Sequence, residues 1–193
     1  MKRLLALPAL LLGLTLAAPA GAEEYTIDTK GAHAFIEFKI AHLGYSWLLG
    51  RFNTFSGSFS FDEKSPAAAK IAVEIDTASI DSNHAERDKH LRSPDFLDVT
   101  AFPKASFVST RIEPKGAGKA VVHGNFTLHG VTRPIAIEAN QIGAGKDPWG
   151  GFRRGFEGRT TLKLADYNIA KAAMLGPAAQ QVQLYFSFEG VRQ

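Results

Sequence analysis

Apolar and polar residues alternate along most of this chain. In "FNTFSGSFSFD", Phe55, Gly57, Phe59 and Phe61 fall on one face and Ser56, Ser58, Ser60 and Asp62 on the other. "KIAVEID" sets Ile71, Val73 and Ile75 against Lys70, Glu74 and Asp76. "AVVHGNFTLHG" sets Val122, Gly124, Phe126 and Leu128 against His123, Asn125, Thr127 and His129. "QVQLYFSFEG" sets Val182, Leu184, Phe186 and Phe188 against Gln181, Gln183, Ser187 and Glu189. "GFRRGFEGRTTLKL" alternates less cleanly, with Phe152, Phe156, Leu162 and Leu164 on one side. A period of two repeated this often predicts antiparallel sheet with one wet face. "HAFIEFKIAHL", "RPIAIEAN" and a run resuming at Ala105 to Phe107 complete a set of about eight strands. No internal repeat or low-complexity linker divides them.

Eight meandering strands in one small domain make a barrel or a sandwich. Two features favour the barrel. Gly57, Gly124 and Gly158 lie on inward positions, where a curved sheet needs room. The inward side chains are also mainly Phe rather than interlocking Val, Leu and Ile. A Phe-lined barrel of this size is either solid or holds one ligand.

One stretch breaks the pattern. "HAERDKHLRSPDFLDVTAFPKASF" runs from His84 to Phe107 and opens with a dense run of charge. Asn83 with Glu86 reads as an N-cap and a variant capping box. Asp88 and Arg92 stand at i,i+4 in the favourable order for an ion pair. Ser93-Pro94 ends the helix. Only Ala85 and Leu91 are apolar, so this helix lacks a core face and belongs on a surface or over an opening. Phe96, Leu97 and Phe102 follow as anchors. The expectation is a flap of Arg87, Asp88, His90, Leu91 and Phe96, with Phe96 as its hook.

The first residues change the reckoning of size and charge. "MKRLLALPALLLGLTLAAPAGAEEY" has a basic start at Lys2 and Arg3, a short apolar run and a small-residue ending at Ala20 and Ala22. Residues 1–22 read as a secretory signal peptide and residues 23–193 as the mature domain. No Cys follows the apolar run, which excludes a lipid-modified N-terminus. Removal leaves 171 residues, in which 20 basic side chains face 19 acidic ones. That near balance argues against a nucleic-acid partner. No later run is apolar enough to span a bilayer after processing. The chain has no Cys at all, so packing alone holds it together and thiol chemistry is excluded. An export signal without disulfides points to the periplasm.

Catalytic and metal motifs are weak. His33, His42, His84, His90, His123 and His129 show no ligand spacing beyond His84 and Asp88 at i,i+4, which reads as solvated helix polarity. His123 and His129 stand about 20 Å apart along a strand and cannot chelate together. No G-x-S-x-G, H-E-x-x-H or phosphate loop occurs. "GAGKDPWGG" reads as a hairpin loop. Neither an enzyme nor a metal site is expected. Arg51, Lys89, Arg92, Arg153 and Arg154 lie in or beside expected connections, where they serve solubility or, if they converge, an anionic head group.

Four segments resemble the YceI-like family of lipocalin-like, polyisoprenoid-binding periplasmic proteins. They are "HAFIEFKIAHLG" with "GRFNTFSGSF", "IDTASIDSNHAERDKHLRSPDFLDVTAFPKASF", "GNFTLHGVTRPI" and "LADYNIAKA". The central one is the most specific, in its order of Arg87, Asp88, His90, Leu91, Asp95, Phe96, Phe102-Pro103 and Phe107. Ala34 departs from the usual Ser after the His, and Leu97 stands where an aromatic is common. The resemblance implies an all-β, eight-stranded antiparallel lipocalin-like barrel with a short helix in a long central connection. It also implies a barrel interior that takes the tail of a long isoprenoid or a similar amphiphilic lipid.

The candidate lining, taken from alternation, is Phe38, Phe55, Phe59, Phe61, Phe107, Phe126, Leu128, Phe156, Phe186 and Phe188. A slip of one residue would turn any strand's share outward. The leading expectation is a non-enzymatic carrier or sequestering protein for an isoprenoid or quinone-like lipid, with no other cofactor. The alternative is an interaction protein whose solid barrel offers the charged helix to a membrane redox protein or another partner.

Overall fold

Each alternating run of the sequence forms a strand in the structure, a computed structural model that describes residues 21–31 and 33–193. Most of the expected export segment, residues 1–20, lies outside the described residues. The strands are β1 (Glu23–Ile27), β2 (Ala34–His42), β3 (Ser46–Phe52), β4 (Phe55–Phe61), β5 (Lys70–Asp76), β6 (Ile80–Asp81), β7 (Lys104–Gly116), β8 (Lys119–Leu128), β9 (Val131–Lys146), β10 (Phe152–Lys163) and β11 (Gln181–Arg192). A single α-helix among the described residues, α1 (Ala85–Arg92), lies between β6 and β7.

Eleven segments make eight staves. β1 and β2 form one interrupted stave, since both run antiparallel to β11, with Ile27 opposite Gly190 and Ala34 opposite Phe188. β3 and β4 form the next, β3 pairing with β2 and β4 with β1. The order then follows the chain through β5, β7, β8, β9 and β10 to β11, which returns to β1. The result is a closed up-and-down barrel, and closure leaves no long free edge.

The charged stretch fills a gap in the wall. β5 pairs with β4 but not with β3, and it leaves the barrel after Asp76. β3 carries only the two-residue β6 on its far side. Residues 77–103 therefore span the opening between β3 and β7. Thr77 pins both ends of that span, its N–H donating to Pro103 O at 3.0 Å and its hydroxyl to Phe102 O at 2.8 Å. A segment with one face to the barrel contents and one to water can be this polar.

Two expectations about α1 are corrected. The N-cap is His84, whose Nδ1 accepts the Arg87 N–H at 3.2 Å. Asn83 instead turns the chain with φ of 61°, a conformation that Asn tolerates well. Asp88 and Arg92 do not pair. Asp88 is buried, and its Oδ1 accepts the Ser82 N–H at 2.8 Å and the Ser82 hydroxyl. Arg92 donates from Nε to Ala78 O at 2.7 Å and from Nη2 to Ile80 O at 2.6 Å. Both side chains tie the helix to the loop before it, which a helical-spacing argument does not see.

The inward glycines make room for neighbouring side chains rather than for empty space, Gly57 for Ile27 and Val73, Gly158 for Ile137, and Gly124 and Gly190 for rings. A Cβ on Gly124 would stand 2.4 Å from Phe107 Cζ, and one on Gly190 would stand 2.5 Å from Phe59. Phe107 lies across Gly124 of the neighbouring β8, and Phe59 reaches Gly190 of β11 across β1, which runs between them. No helix among the described residues is long and apolar enough to cross a membrane.

Candidate functional site: an apolar tunnel through the barrel

The inward side chains leave three linked voids. The first, about 310 Å³, lies at the α1 end. The second, about 80 Å³, lies mid-barrel. The third, about 380 Å³, reaches the end where β7 turns into β8. Ile75 and Phe126 line both the first and the second. Ile71, Val122, Ala139, Phe156 and Phe188 line both the second and the third. The voids therefore follow one another along the barrel and share side chains as walls. A larger groove of about 550 Å³ lies on the outer sheet face, among Glu37, Lys39, Arg51, Asp81 and Arg159. Its charged walls suit water.

Nine of the ten residues read from alternation border these voids. Phe38, Phe126 and Leu128 line the first void. Phe107, Phe126, Phe156, Phe186 and Phe188 line the second. Phe59, Phe61, Phe156 and Phe188 line the third. Phe55 differs. It packs its ring 5.9 Å from Phe188 and supports the wall without bordering a void.

The flap residues divide into two groups. Arg87, His90, Leu91 and Phe96 border the first void, together with Leu97. Asp88 lies behind them and holds Ser82. Arg87 is itself fixed by Nε donating to the Ser82 hydroxyl at 2.7 Å. Phe96 meets the His90 ring edge-on at 5.0 Å. Leu97 is the more deeply buried anchor, so the hook is a Phe96–Leu97 pair. Asp95 clasps the flap to the segment between β10 and β11, reaching Lys171 Nζ at 3.0 Å, and also reaches His90 Nε2 at 3.2 Å. His42, Arg87 and His90 are polar side chains in otherwise apolar walls.

Residues 25–190 match the profile of the YceI-like domain. This chain belongs to the YceI-like family. It is 56% identical over 187 residues to a UPF0312 protein of Shewanella sp. (strain ANA-3), covering 96% of this chain and 97% of that one. It is 57% identical to a UPF0312 protein of Pseudomonas aeruginosa (strain LESB58) over the full length of both. Among solved structures, BcnA of Burkholderia cenocepacia superposes with a TM-score of 0.75 at 22% identity, over 84% of this chain and 98% of that one. A polyisoprenoid binding domain from Saccharophagus degradans superposes at 0.66 with 16% identity, over 88% and 98% of the two chains. Both likenesses establish the shared barrel.

The far end of this YceI-like barrel holds a buried cation that sequence reading placed in a connection. Arg154 lies on β10 and is 2% exposed. Its guanidinium stacks 4.4 Å from the Phe61 ring and reaches Glu63 Oε1 at 2.7 Å. Nη1 has no partner among the described residues. Inward spacing with Phe156 was the available signal, but an Arg in a Phe stripe looks like a break. Arg51, Lys89, Arg92 and Arg153 do not join it. Arg51 lines the outer groove, Lys89 is exposed, Arg92 holds the loop before α1, and Arg153 enters a separate network.

That network sits beside the interruption between β1 and β2. Arg153 Nη1 donates to Asp28 Oδ2 at 2.6 Å and approaches Glu189 at 3.4 Å, while Nε donates to Asp147 Oδ2 at 3.0 Å. Asp28, His33 and Glu189 are close enough to share a cation, a grouping not expected from sequence. The Arg153 guanidinium already occupies the Asp28 oxygen they would use. The same hydrogen bond from Arg153 lowers the Asp28 carboxyl to about 2.

A depressed carboxylate stabilises the fold fully above its unfolded value and loses that contribution as pH falls through the folded one. Asp28→Asn should therefore cost about 1–2 kcal/mol near neutral pH, with the difference vanishing as pH drops from about 4 towards 2. Urea melts of both proteins across that range check this, and a pH-independent difference would count against the ion-pair origin.

Proposed function

We propose that this protein is exported to the periplasm, loses residues 1–22, and there binds a long-chain isoprenoid or quinone-like lipid without catalysing a reaction. One observation carries the reading: three apolar voids run in sequence through a barrel whose strands are otherwise well paired. A chain of voids suits an extended tail. Burial removes that tail from water at about 25 cal/mol per Å². Few polar groups are needed to hold hydrocarbon; His42, Arg87 and His90 offer a head group partners at the α1 end, while Ser60, Glu63, Lys119 and Gln141 stand at the far one. The shared fold with a polyisoprenoid binding domain supports the same ligand class. The alternative of a solid barrel offering α1 to a redox partner fits less well, because α1 turns Arg87, His90 and Leu91 to the void.

Protein taken from the periplasmic fraction should begin at Glu23 and yield a long-chain apolar molecule on solvent extraction. Its thermal midpoint should fall on delipidation and recover with added isoprenoid. A ligand specific to the folded state, at a hundredfold excess over Kd, stabilises it by about 2.7 kcal/mol. A clean extract and no response to isoprenoids would remove the carrier reading.

A further inference from the structure

Six of the ten large apolar side chains that are exposed among the described residues gather at one end of the barrel. Leu43, Tyr45, Trp47 and Leu49 belong to the β2–β3 hairpin, and Met174 and Leu175 to the strap between β10 and β11. The other four, including Trp149, are scattered over β2, β7, β9 and the β9–β10 turn. The hairpin and strap are neighbours, since β2 packs against the Pro177–Ala179 turn. Leu43 and Leu175 are each half exposed and also line the first void. They mark its mouth; Tyr45, Trp47 and Met174 stand on the same two segments beside it, and Leu49 lies farther along β3 at the outer groove.

We propose that this rim docks the protein on a lipid bilayer, so that a tail passes between membrane and barrel without crossing water. The proposal rests on the reading of the barrel as a lipid carrier. The residue types fit a headgroup layer. Tyr and Trp favour that depth because one end of each is apolar and the other polar. Lys39 Nζ lies 4.1 Å from the Trp47 ring centroid, which sets a cation beside the aromatic rim at the depth of lipid phosphates. The hairpin tip is a tight turn closed by the Tyr45 N–H on His42 O at 2.9 Å, with Leu43 and Gly44 both at positive φ. It leaves Tyr45 86% exposed. A narrow aromatic tip beside a cavity mouth suits insertion into a soft surface.

The test is co-sedimentation of the purified protein with vesicles of phosphatidylethanolamine and phosphatidylglycerol. Wild type should pellet with the vesicles and keep most of that binding in high salt, because apolar insertion is not screened. The combined variant Tyr45→Ser, Trp47→Ser, Met174→Ser should bind roughly tenfold or more weakly at an unchanged melting midpoint. Trp149→Ser, at the opposite end, should bind as wild type. Brominated acyl chains should quench Trp47 and spare Trp149, a readout that needs no rim variant. Absence of wild-type binding, equal losses in both variants, or quenching of Trp149 alone would overturn the docking surface. A dimer that the triple variant dissociates, with vesicle binding unchanged, would assign the rim to a second copy and also overturn it. Lipid content by extraction is scored separately. A protein that carries isoprenoid but ignores vesicles keeps the carrier function and loses the docking.

Discussion

Phe59→Ala should destabilise this protein by roughly 3–5 kcal/mol, while Leu128→Ala should fall near or below about 2 kcal/mol, although both residues point into the barrel. The difference follows from what each side chain touches. The Phe59 ring stacks on Tyr25 at 4.8 Å with an interplanar angle of 9°, and meets Phe156 edge-on at 5.4 Å. It also lies over Gly190, where a Cβ would stand 2.5 Å away. Truncation would remove all of these contacts at once and leave a hole against Tyr25, the ring that the Arg154 guanidinium also faces. Both side chains border a void, Phe59 the far one and Leu128 the one of about 310 Å³ at the α1 end, but Leu128 is smaller and has no ring stacked across it, so it has fewer partner atoms to lose. Denaturant melts of delipidated protein make the comparison. Equal, full penalties at both positions would mean that the α1 end is packed solid, and the tunnel would lose its first chamber.

How far the sequence revealed these features depended on the range of the interaction. The Phe lining was legible because a barrel stave presents every second residue inward and the pattern is local. β3 was missed because "SWLLGRF" is apolar on both faces: Leu48 and Phe52 face in while Trp47 and Leu49 are exposed. Alternation disappears where the outer face has its own apolar role. Arg154 was misplaced because its partners Phe61 and Glu63 come from the end of β4 and the turn after it, and only closure of the barrel brings them together. The cap and ion pair expected for α1 failed for a related reason. Helical spacing describes neighbours on the helix, whereas Asp88 and Arg92 spend their hydrogen bonds on the loop that precedes it. The tunnel itself is a matter of missing volume, which no pattern of residue types records.

Missing volume can be filled on purpose. Ala105 lies on β7 opposite Ile75, is 2% exposed, and lines the first void. Ala105→Trp should put an indole into that void. Overpacking a complete core costs about 1–3 kcal/mol, but here the ring enters existing space, so the stability loss should stay at the low end. Affinity for a fluorescent polyisoprenol should fall by about tenfold or more, since each 1.4 kcal/mol of lost contact is a factor of ten.

Val108→Trp, on the same strand but facing out, controls for the bulk of the new side chain. Ala139→Trp gives the second half of the test, because Ala139 borders both the middle and the far void. A tail that threads the barrel must pass both blocks, so either variant alone should defeat it. A short tail held only at the α1 end would be defeated by Ala105→Trp and spared by Ala139→Trp. The pair therefore reads the length of the occupied tunnel as well as its existence. Wild-type affinity in both variants, with the folds intact, would place the lipid outside the barrel and remove the observation on which the carrier function rests.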